Sequence, residues 1–364
     1  MYKKREYRHK VLITTGGTGG HIFPAEALAS QLYEKDVNIL FVGGGLERNK
    51  YFKKERYFYR EITSSTPFKG HIVKAWWNIL KGICQSLKIL SKYKPDIVIG
   101  FGSFYSFPVL VAAKLKNIPI VLFEPNAIPG KVNRLFSRWA LLSTLQFKEA
   151  QKWMKGPCVE VKMQVSEQKT EKREAREYFY LNPDLFTFLV FGGSQGAQSI
   201  NHLFSQAINL IDRDKSQFQV IHITGQTDSA DEVRQWYVSQ GIKSCVKAFE
   251  PQMEKAWSSA DYVVCRAGAA TVAEQITSEV PALFIPYPRA TDNHQTLNAR
   301  LVEGVGGAVT CEESQLDLQT MIKILKENIL PQRLAEMKIS LKSFKNSHKK
   351  ELVDIIYDLL KKRN

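Results

Sequence analysis

His21 ends the stretch Thr14-Thr15-Gly16-Gly17-Thr18-Gly19-Gly20-His21, directly after the apolar run Val11-Leu12-Ile13. Imidazole titrates near neutral pH, so a histidine here suits general acid–base chemistry. Orienting the loop, or touching a phosphate, are the other uses open to it. Glu274 is the second group of interest, five residues beyond Ala269 in the segment Cys265-Arg266-Ala267-Gly268-Ala269-Ala270-Thr271-Val272-Ala273-Glu274. A carboxylate in the first turns of a helix can accept two ribose hydroxyls while the phosphate lies at the same helix's N-terminus. A solvated or capping glutamate would look the same in sequence. Arg266 offers a cation for that phosphate, and Asp292-Asn293-His294-Gln295 gathers groups suited to sugar hydroxyls or to an ordinary polar loop.

Such groups need elements to place them. Three segments share one device, an apolar strand, a loop of small residues and a helix: LITTGGTGGHIFPAEALASQL, FLVFGGSQGAQSINHLF and YVVCRAGAATVAEQI. Glycine lets main chain approach a ligand, and the following helix presents unpaired N–H groups at the positive end of its dipole. Any one such loop also serves packing. Three of them, spread over both halves, point to a phosphate-bearing ligand outside the carboxyl ends of the strands. The dinucleotide fingerprint G-x-G-x-x-G is absent, and no Gly-Lys-Ser/Thr follows any of the loops, so dehydrogenase and P-loop readings lose their support.

Apolar runs expected to be strands fall at 11–15, 38–42, 96–100, 120–123, 186–191, 219–224, 262–265 and 282–286. They are continuous rather than alternating, as parallel strands buried on both faces require, and helical stretches separate them. The expectation is an α/β protein of two doubly wound domains, 1–165 and 166–346, joined across the polar segment 165–184. A terminal helix at 347–364, apolar at 352, 355, 356, 359 and 360, would pack on a domain and could cross back to the first. At 364 residues two domains are the default. With 44% hydrophobic residues and no long uninterrupted apolar segment, the chain reads as soluble and globular. The basic start MYKKREYRHK leads into a strand rather than an apolar signal region, which argues against export. Five scattered cysteines, none in a C-x-x-C pair, indicate neither a zinc site nor a disulfide framework.

Charge is unevenly divided. The net charge is +15, and residues 1–165 carry 27 Lys and Arg against 11 Asp and Glu, so the whole excess lies in the first half. That half calls for an anionic partner: nucleic acid, a phosphorylated substrate or an acidic membrane.

Taken in order, GGTGGH with Pro24, Glu124-Pro125-Asn126 with Gly130, GGSQGA at 192–197, CRAGAATVAE at 265–274, PALFIP at 281–286 and DNHQ with Asn298-Ala299 resemble the MurG family. These bacterial enzymes transfer N-acetylglucosamine (GlcNAc) from UDP-GlcNAc to lipid I, the undecaprenyl-diphospho-muramoyl-pentapeptide, making lipid II for peptidoglycan. The resemblance spans nearly the whole chain. It implies a GT-B fold, two Rossmann-like domains facing an interdomain cleft, and an inverting glycosyltransferase that needs neither metal nor cofactor. It implies donor contacts at Thr18, Gly19 and Gly20, at Asn126, at Ser194, at the main chain of Glu250, along Ala269, Ala270, Thr271, Val272, Ala273 and Glu274, and at Gln295. On this reading His21 is the catalytic base for the acceptor's 4-hydroxyl. The chain departs from the family pattern at Gly102-Ser103-Phe104, at Phe123 and Pro125, and at Lys162-Met163-Gln164-Val165-Ser166, where a donor-side arginine is replaced by Ser166.

An undecaprenyl-linked acceptor explains the basic half. No acidic residue occurs from Ile62 to Pro95, where lysines alternate with Trp76, Trp77, Ile79, Leu80, Ile83 and Leu87. Positions 73, 76, 80, 83, 87 and 90 form one helical stripe, expected to pack on the sheet. Trp77, Lys74, Lys81 and Lys88 lie off it, and with Lys131, Arg134, Arg138 and Trp139 they suit an anionic membrane surface. The resulting expectation is a peripheral protein of the cytoplasmic face of the inner membrane, serving cell-wall synthesis and through it cell shape and division. Two rivals are a GT-B enzyme with a different acceptor, and a nucleic-acid-binding protein, the latter disfavoured because no RNA or DNA module is recognisable.

Overall fold

The structure, a computed structural model, describes residues 8–65, 72–162, 165, 170–193, 195–211, 214–226, 228–347 and 350–362. Ser194, Met163, Gln164 and Ser166 lie outside them. The chain forms two compact units, Met1–Val165 with His348–Asn364, and Ser166–Ser347.

In the first unit the strands are β1 (His9–Thr14), β2 (Val37–Gly43), β3 (Tyr59–Glu61), β4 (Ile97–Gly100), β5 (Ile120–Glu124), β6 (Leu142–Leu145) and β7 (Cys158–Glu160). They pair in parallel in the order β3-β2-β1-β4-β5-β6-β7. Helices α1 (Gly19–Glu34), α2 (Ile72–Tyr93), α3 (Phe107–Leu115) and α4 (Lys131–Phe136) connect them. Because successive side chains of a strand point to opposite faces, Val11 and Ile13 join one core with α1, while Leu12 joins the other with Val109 and Leu110 of α3. Both faces of the sheet are covered, which is why its central strands read as unbroken apolar runs.

The second unit repeats the plan. Its strands are β8 (Phe186–Phe191), β9 (Phe218–Ile223), β10 (Ser244–Lys247), β11 (Tyr262–Cys265), β12 (Ala282–Phe284) and β13 (Ala308–Thr310), in the parallel order β10-β9-β8-β11-β12-β13. The helices are α5 (Lys172–Tyr178), α6 (Gln198–Leu210), α7 (Ala230–Ser239), α8 (Met253–Ser259), α9 (Ala269–Ser278), α10 (His294–Gly304), α11 (Leu318–Asn328) and α12 (Pro331–Asn346). A last helix, α13 (Leu352–Lys361), belongs to the first unit. It buries Leu352, Ile356 and Leu360 in the core that holds α1, and Lys35 pairs with its Asp354 at 3.3 Å.

The sheet order fixes where a ligand can sit. In the first unit β1 lies between β2 and β4, and in the second β8 lies between β9 and β11. The connections from the two central strands leave in opposite directions there, opening a crevice at their carboxyl ends. The glycine-rich loops after β1 and β8, and the alanine-rich loop after β11, all arise at these two points.

The strands expected from sequence are present with ends shifted by a residue or two; β3, β6, β7, β10 and β13 were not expected. These are short, and most lie toward the sheet flanks, where little apolar surface is needed. The stripe reading of α2 is corrected. Its buried face is Ala75, Ile79, Gly82, Ser86 and Leu90, whereas Val73, Trp76 and Leu80 are exposed. The cause is a close approach: a Cβ on Gly82 would lie 2.0 Å from the carbonyl oxygen of Thr63. Small residues make the seam at that point, and Val73, Trp76 and Leu80 are turned outward, whereas Leu87 and Leu90 of the expected stripe do pack on the core.

Candidate functional site

The loop between β1 and α1 is shaped by its neighbours before any ligand is considered. A Cβ on Gly16 would stand 2.6 Å from Tyr105 Cβ and 2.8 Å from the Gly44 carbonyl oxygen, and Gly17 sits at φ +87°, so these two glycines serve loop packing. Gly20 differs. A Cβ there would meet nothing nearer than Thr18 Oγ1 at 3.8 Å, so this turn of α1 is open to a ligand. Thr18 makes no side-chain cap, and the first main-chain N–H groups drawn into the turn are those of His21 and Ile22, both to the Thr18 carbonyl. Asn49 Nδ2 holds the Gly17 carbonyl at 2.7 Å and Thr15 Oγ1 holds that of His21 at 3.0 Å.

His21 is half-buried, and its Nδ1 lies 2.8 Å from the carbonyl oxygen of Phe101, just beyond β4. A carbonyl only accepts, so Nδ1 carries the proton and Nε2 is the basic nitrogen of the neutral ring. The orienting group is thus main chain from the neighbouring strand. A Cβ on Gly102 would touch the imidazole at 3.4 Å, and Gly102 itself sits at φ +78°.

Asn126 is placed by Glu124. This buried carboxylate ends β5 and accepts from the main-chain N–H of Asn126 (3.0 Å) and Gly130 (3.0 Å) and from Nδ2 of Asn126 (3.2 Å) and Asn133 (2.9 Å). Burial raises its pKa against the pull of these donors. The turn following β5 therefore closes around one carboxylate. Phe123 is fully buried and packs against Phe101 with ring centroids 5.2 Å apart and the rings tilted by 44°, and Phe104 is partly buried against the second core, so both departures from the family pattern are absorbed by packing.

In the second unit, a Cβ on Gly192 would overlap Ala197, and one on Gly225 would overlap Gly196, to which it is bridged; Gly193 meets nothing and sits at φ +84°. Asn201 of α6 donates to the Thr224 carbonyl and to Asp228 while accepting from His222. His222 is wholly buried, which pulls its pKa down to about 3, so it stays neutral and structural.

Helix α9 starts after Gly268 with no side-chain cap, and the small residues Ala269 and Ala270 leave its first turn uncrowded. Glu274 is half-buried and accepts from Trp257 Nε1 of α8 at 2.9 Å. Burial pushes its pKa up to about 7, opposed by the Trp257 bond and helped slightly by Glu254. Thr271 is half-buried, whereas Val272 and Ala273 are buried core residues of the helix and can offer a ligand only main chain. Glu250 is buried; its carboxylate takes Tyr178 OH (3.2 Å), Lys247 Nζ (2.7 Å) and the Gln252 N–H (2.8 Å), which fixes the main chain of that turn. Gln295 Oε1 accepts from the Tyr287 N–H at 3.0 Å, closing the 287–295 loop, in which Asp292 and Asn293 are left-handed. Asn298 is buried and donates to the Ala267 carbonyl.

Arg266, offered in sequence as a phosphate contact, is held by partners within its own unit. Its Nη1 donates to the carbonyls of Ile285 and Pro286 and pairs with Glu313 at 2.7 Å. Burial would push Glu313 up, but the bonds from Arg266 and from the Ser199 hydroxyl outweigh it and hold the carboxylate below its ordinary pKa. Arg266 is therefore anchored inside the second unit. Trp257 and Glu313 carried no sequence signal, since nothing local tells which indole or carboxylate a fold will bring to a given helix. Among the described residues no cluster of three or more His, Cys, Asp or Glu could hold a metal ion, and no helix is long and apolar enough to cross a membrane.

On α2, Ile72, Val73, Trp76, Trp77 and Leu80 are exposed, Val73 to 84% and Trp77 to 69%, beside exposed Lys74, Lys81 and Lys88. Trp139 is also exposed, and the Arg138 guanidinium lies over its ring at 5.3 Å.

Comparison with known proteins gives a consistent picture. The glycosyltransferase family 28 N-terminal domain matches residues 11–142 and the family 28 C-terminal domain matches residues 187–352. The chain is 42% identical over 348 residues to the UDP-N-acetylglucosamine–N-acetylmuramyl-(pentapeptide) pyrophosphoryl-undecaprenol N-acetylglucosamine transferase of Protochlamydia amoebophila, covering 92% of each. It is 37% identical to the enzyme of the same name from Halothermothrix orenii, covering 97% of this chain and 99% of that one. The crystal structure of Acinetobacter baumannii MurG is similar with a TM-score of 0.77 at 27% identity, covering 97% of this chain and 99% of that one. The spinosyn forosaminyltransferase SpnP shares the fold, with a TM-score of 0.72 at 11% identity.

Proposed function

We propose that this chain, which belongs to glycosyltransferase family 28 and within it to the MurG family, transfers GlcNAc from UDP-GlcNAc to the 4-hydroxyl of the muramoyl sugar of lipid I, giving lipid II. The observation that carries the donor side is Glu274 standing in α9 behind an open, uncapped helix start, so one element offers N–H groups to a diphosphate and a carboxylate to a ribose. The acceptor follows from the family to which both units belong.

The chemistry is an inverting displacement. The acceptor oxygen attacks the anomeric carbon, the bond from that carbon to the β-phosphate oxygen breaks, and the electron pair leaves with UDP. His21 Nε2 takes the hydroxyl proton, its basic side fixed by the Nδ1 bond to Phe101. Charge developing on the departing diphosphate is met by the N–H groups at the start of α9 and of the glycine loops. One preorganised donor of this kind typically contributes ~3 kcal/mol. Gly19, Gly20 and Asn126 serve the donor sugar and diphosphate, the main chain of Glu250 serves the uracil, and Gln295 serves the GlcNAc hydroxyls. No metal ion takes part.

The exposed apolar face of α2 with its lysines is the surface by which the protein sits, peripherally, on the cytoplasmic face of the cell membrane, within reach of an undecaprenyl-linked substrate. The basic balance of the first half supports this reading, each cation near an anionic surface contributing roughly 1 kcal/mol. Through peptidoglycan assembly the enzyme serves cell shape and division, with no role in nucleic-acid binding.

The test is transfer of labelled GlcNAc from UDP-GlcNAc to a lipid I analogue with EDTA present. Formation of the lipid II analogue with inverted anomeric configuration supports the reading. Transfer only to an unrelated glycolipid or small molecule would assign the chain to another acceptor class on the same fold.

A further inference from the structure

Trp257 joins three parts of the second unit implied in donor binding. It lies on α8, which follows the Glu250 turn, and its ring stands edge-on to Phe191, 5.7 Å between centroids at 88°. Phe191 ends β8 immediately before the Gly192 loop. The indole N–H reaches Glu274 on α9. The side chain is 1% exposed, so water offers its N–H no alternative, and among the described residues no other hydrogen bond reaches Glu274. One carboxylate oxygen is thereby committed, which fixes the plane in which the other can accept.

We propose that Trp257 is a positioning residue for the donor ribose: its indole N–H holds Glu274 in the orientation and the ionised form that accept the ribose hydroxyls, and so sets the preference of the site for ribose over deoxyribose nucleotides. This rests on the reading that Glu274 meets the ribose.

The charged and titratable neighbours of Glu274 are Glu254, from the same helix as Trp257, and the buried thiol Cys265 on β11. Neither favours a second negative charge. Trp257 is then the group that favours the ionised carboxylate, and its loss leaves a carboxyl that is protonated to a higher pH and free to rotate.

The experiment is calorimetric titration of the full chain and of W257F, E274Q and the double variant with UDP and 2′-deoxy-UDP. UDP-GlcNAc, whose diphosphate does not titrate near neutrality, is used for the pH series. W257F should weaken UDP about tenfold, the scale of a hydrogen bond to a charged group. It should weaken 2′-deoxy-UDP less, narrow the preference between them, and move the acid limb of UDP-GlcNAc affinity to higher pH. Turnover at saturating donor should stay within about threefold, and the double variant should bind like E274Q alone. Unchanged preference and pH limb in W257F, or a double variant whose loss is the product of the single losses, overturns the proposal. Unchanged UDP affinity in E274Q would instead overturn the ribose reading itself. Should W257F not fold, replacing Trp257 with 3-benzothienylalanine, which keeps the shape and lacks the N–H, is read in the same titrations with the same outcomes.

Discussion

The β1–α1 and β11–α9 junctions are the same device carrying different chemistry. Both follow a buried central strand, both lack a side-chain cap, and both arise beside a switch in strand order. In the first, Gly16 is demanded by Tyr105 and Gly44, and the ionisable group is an imidazole whose protonated nitrogen is set by a main-chain carbonyl. In the second, the small residues are Gly268 and the alanines on either side of it, and the ionisable group is a carboxylate raised by burial and steadied by an indole. A carbonyl partner leaves a ring nitrogen basic and suited to taking a proton, whereas an N–H partner favours charge and suits a group that binds. The orienting partner, more than the loop, separates the two roles.

The sharpest way to break this contrast is His21→Ala. Loss of a positioned base should lower kcat by about 10²- to 10⁴-fold while UDP affinity holds, measured by single-turnover transfer beside calorimetry; a kcat within a few-fold of the parent would end the base role. Next is Glu124→Gln, which puts an amide where four donors converge on a carboxylate. Each donor left unpaired costs about 1–3 kcal/mol, so both the melting temperature and donor affinity should fall. Gly16→Ala separates packing from ligand approach. The added methyl meets Tyr105 Cβ and should cost about 1–3 kcal/mol of stability, read by denaturant titration, with UDP affinity recovering at low temperature.

Glu274→Gln gives a smaller effect with a sign that can be worked out. Its folded pKa of about 7 lies above its unfolded value, so ionisation opposes folding as pH rises from about 4.5 through 7. The variant should melt higher than the parent at pH 8, with the gap closing below pH 5; equal gaps at both pH values would contradict the buried carboxylate. Smallest is the joint neutralisation of Lys74, Lys81 and Lys88. At roughly 1 kcal/mol per cation at most, co-sedimentation with acidic vesicles should weaken at low salt, with transfer to a soluble acceptor analogue unchanged.

Much of this molecule was legible because the deciding information is local. A parallel strand buried on both faces must be an unbroken apolar run, so Phe186–Phe191 and Tyr262–Cys265 could be bounded to the residue. A strand feeding a helix through small residues is likewise a contiguous pattern, and it located both junctions. The flanking strands were missed because Tyr59–Glu61 and Cys158–Glu160 are too short and too exposed to need such a run. The face of α2 was misread for the opposite reason: its seam is set by Gly82 lying against Thr63, so small residues mark the contact and the tryptophans face out.

The sequence by itself determined the class of fold, the loops, and the residue types at each helix start, since these follow from periodicity and chain stiffness over a few residues. Tertiary structure decided which partner each ionisable group received. His21 meets a carbonyl 80 residues away, Glu274 an indole from another helix, and Arg266 the carboxylate of Glu313. Those pairings set proton position, ionisation and orientation, and they arise only when sheet order brings distant strand ends together.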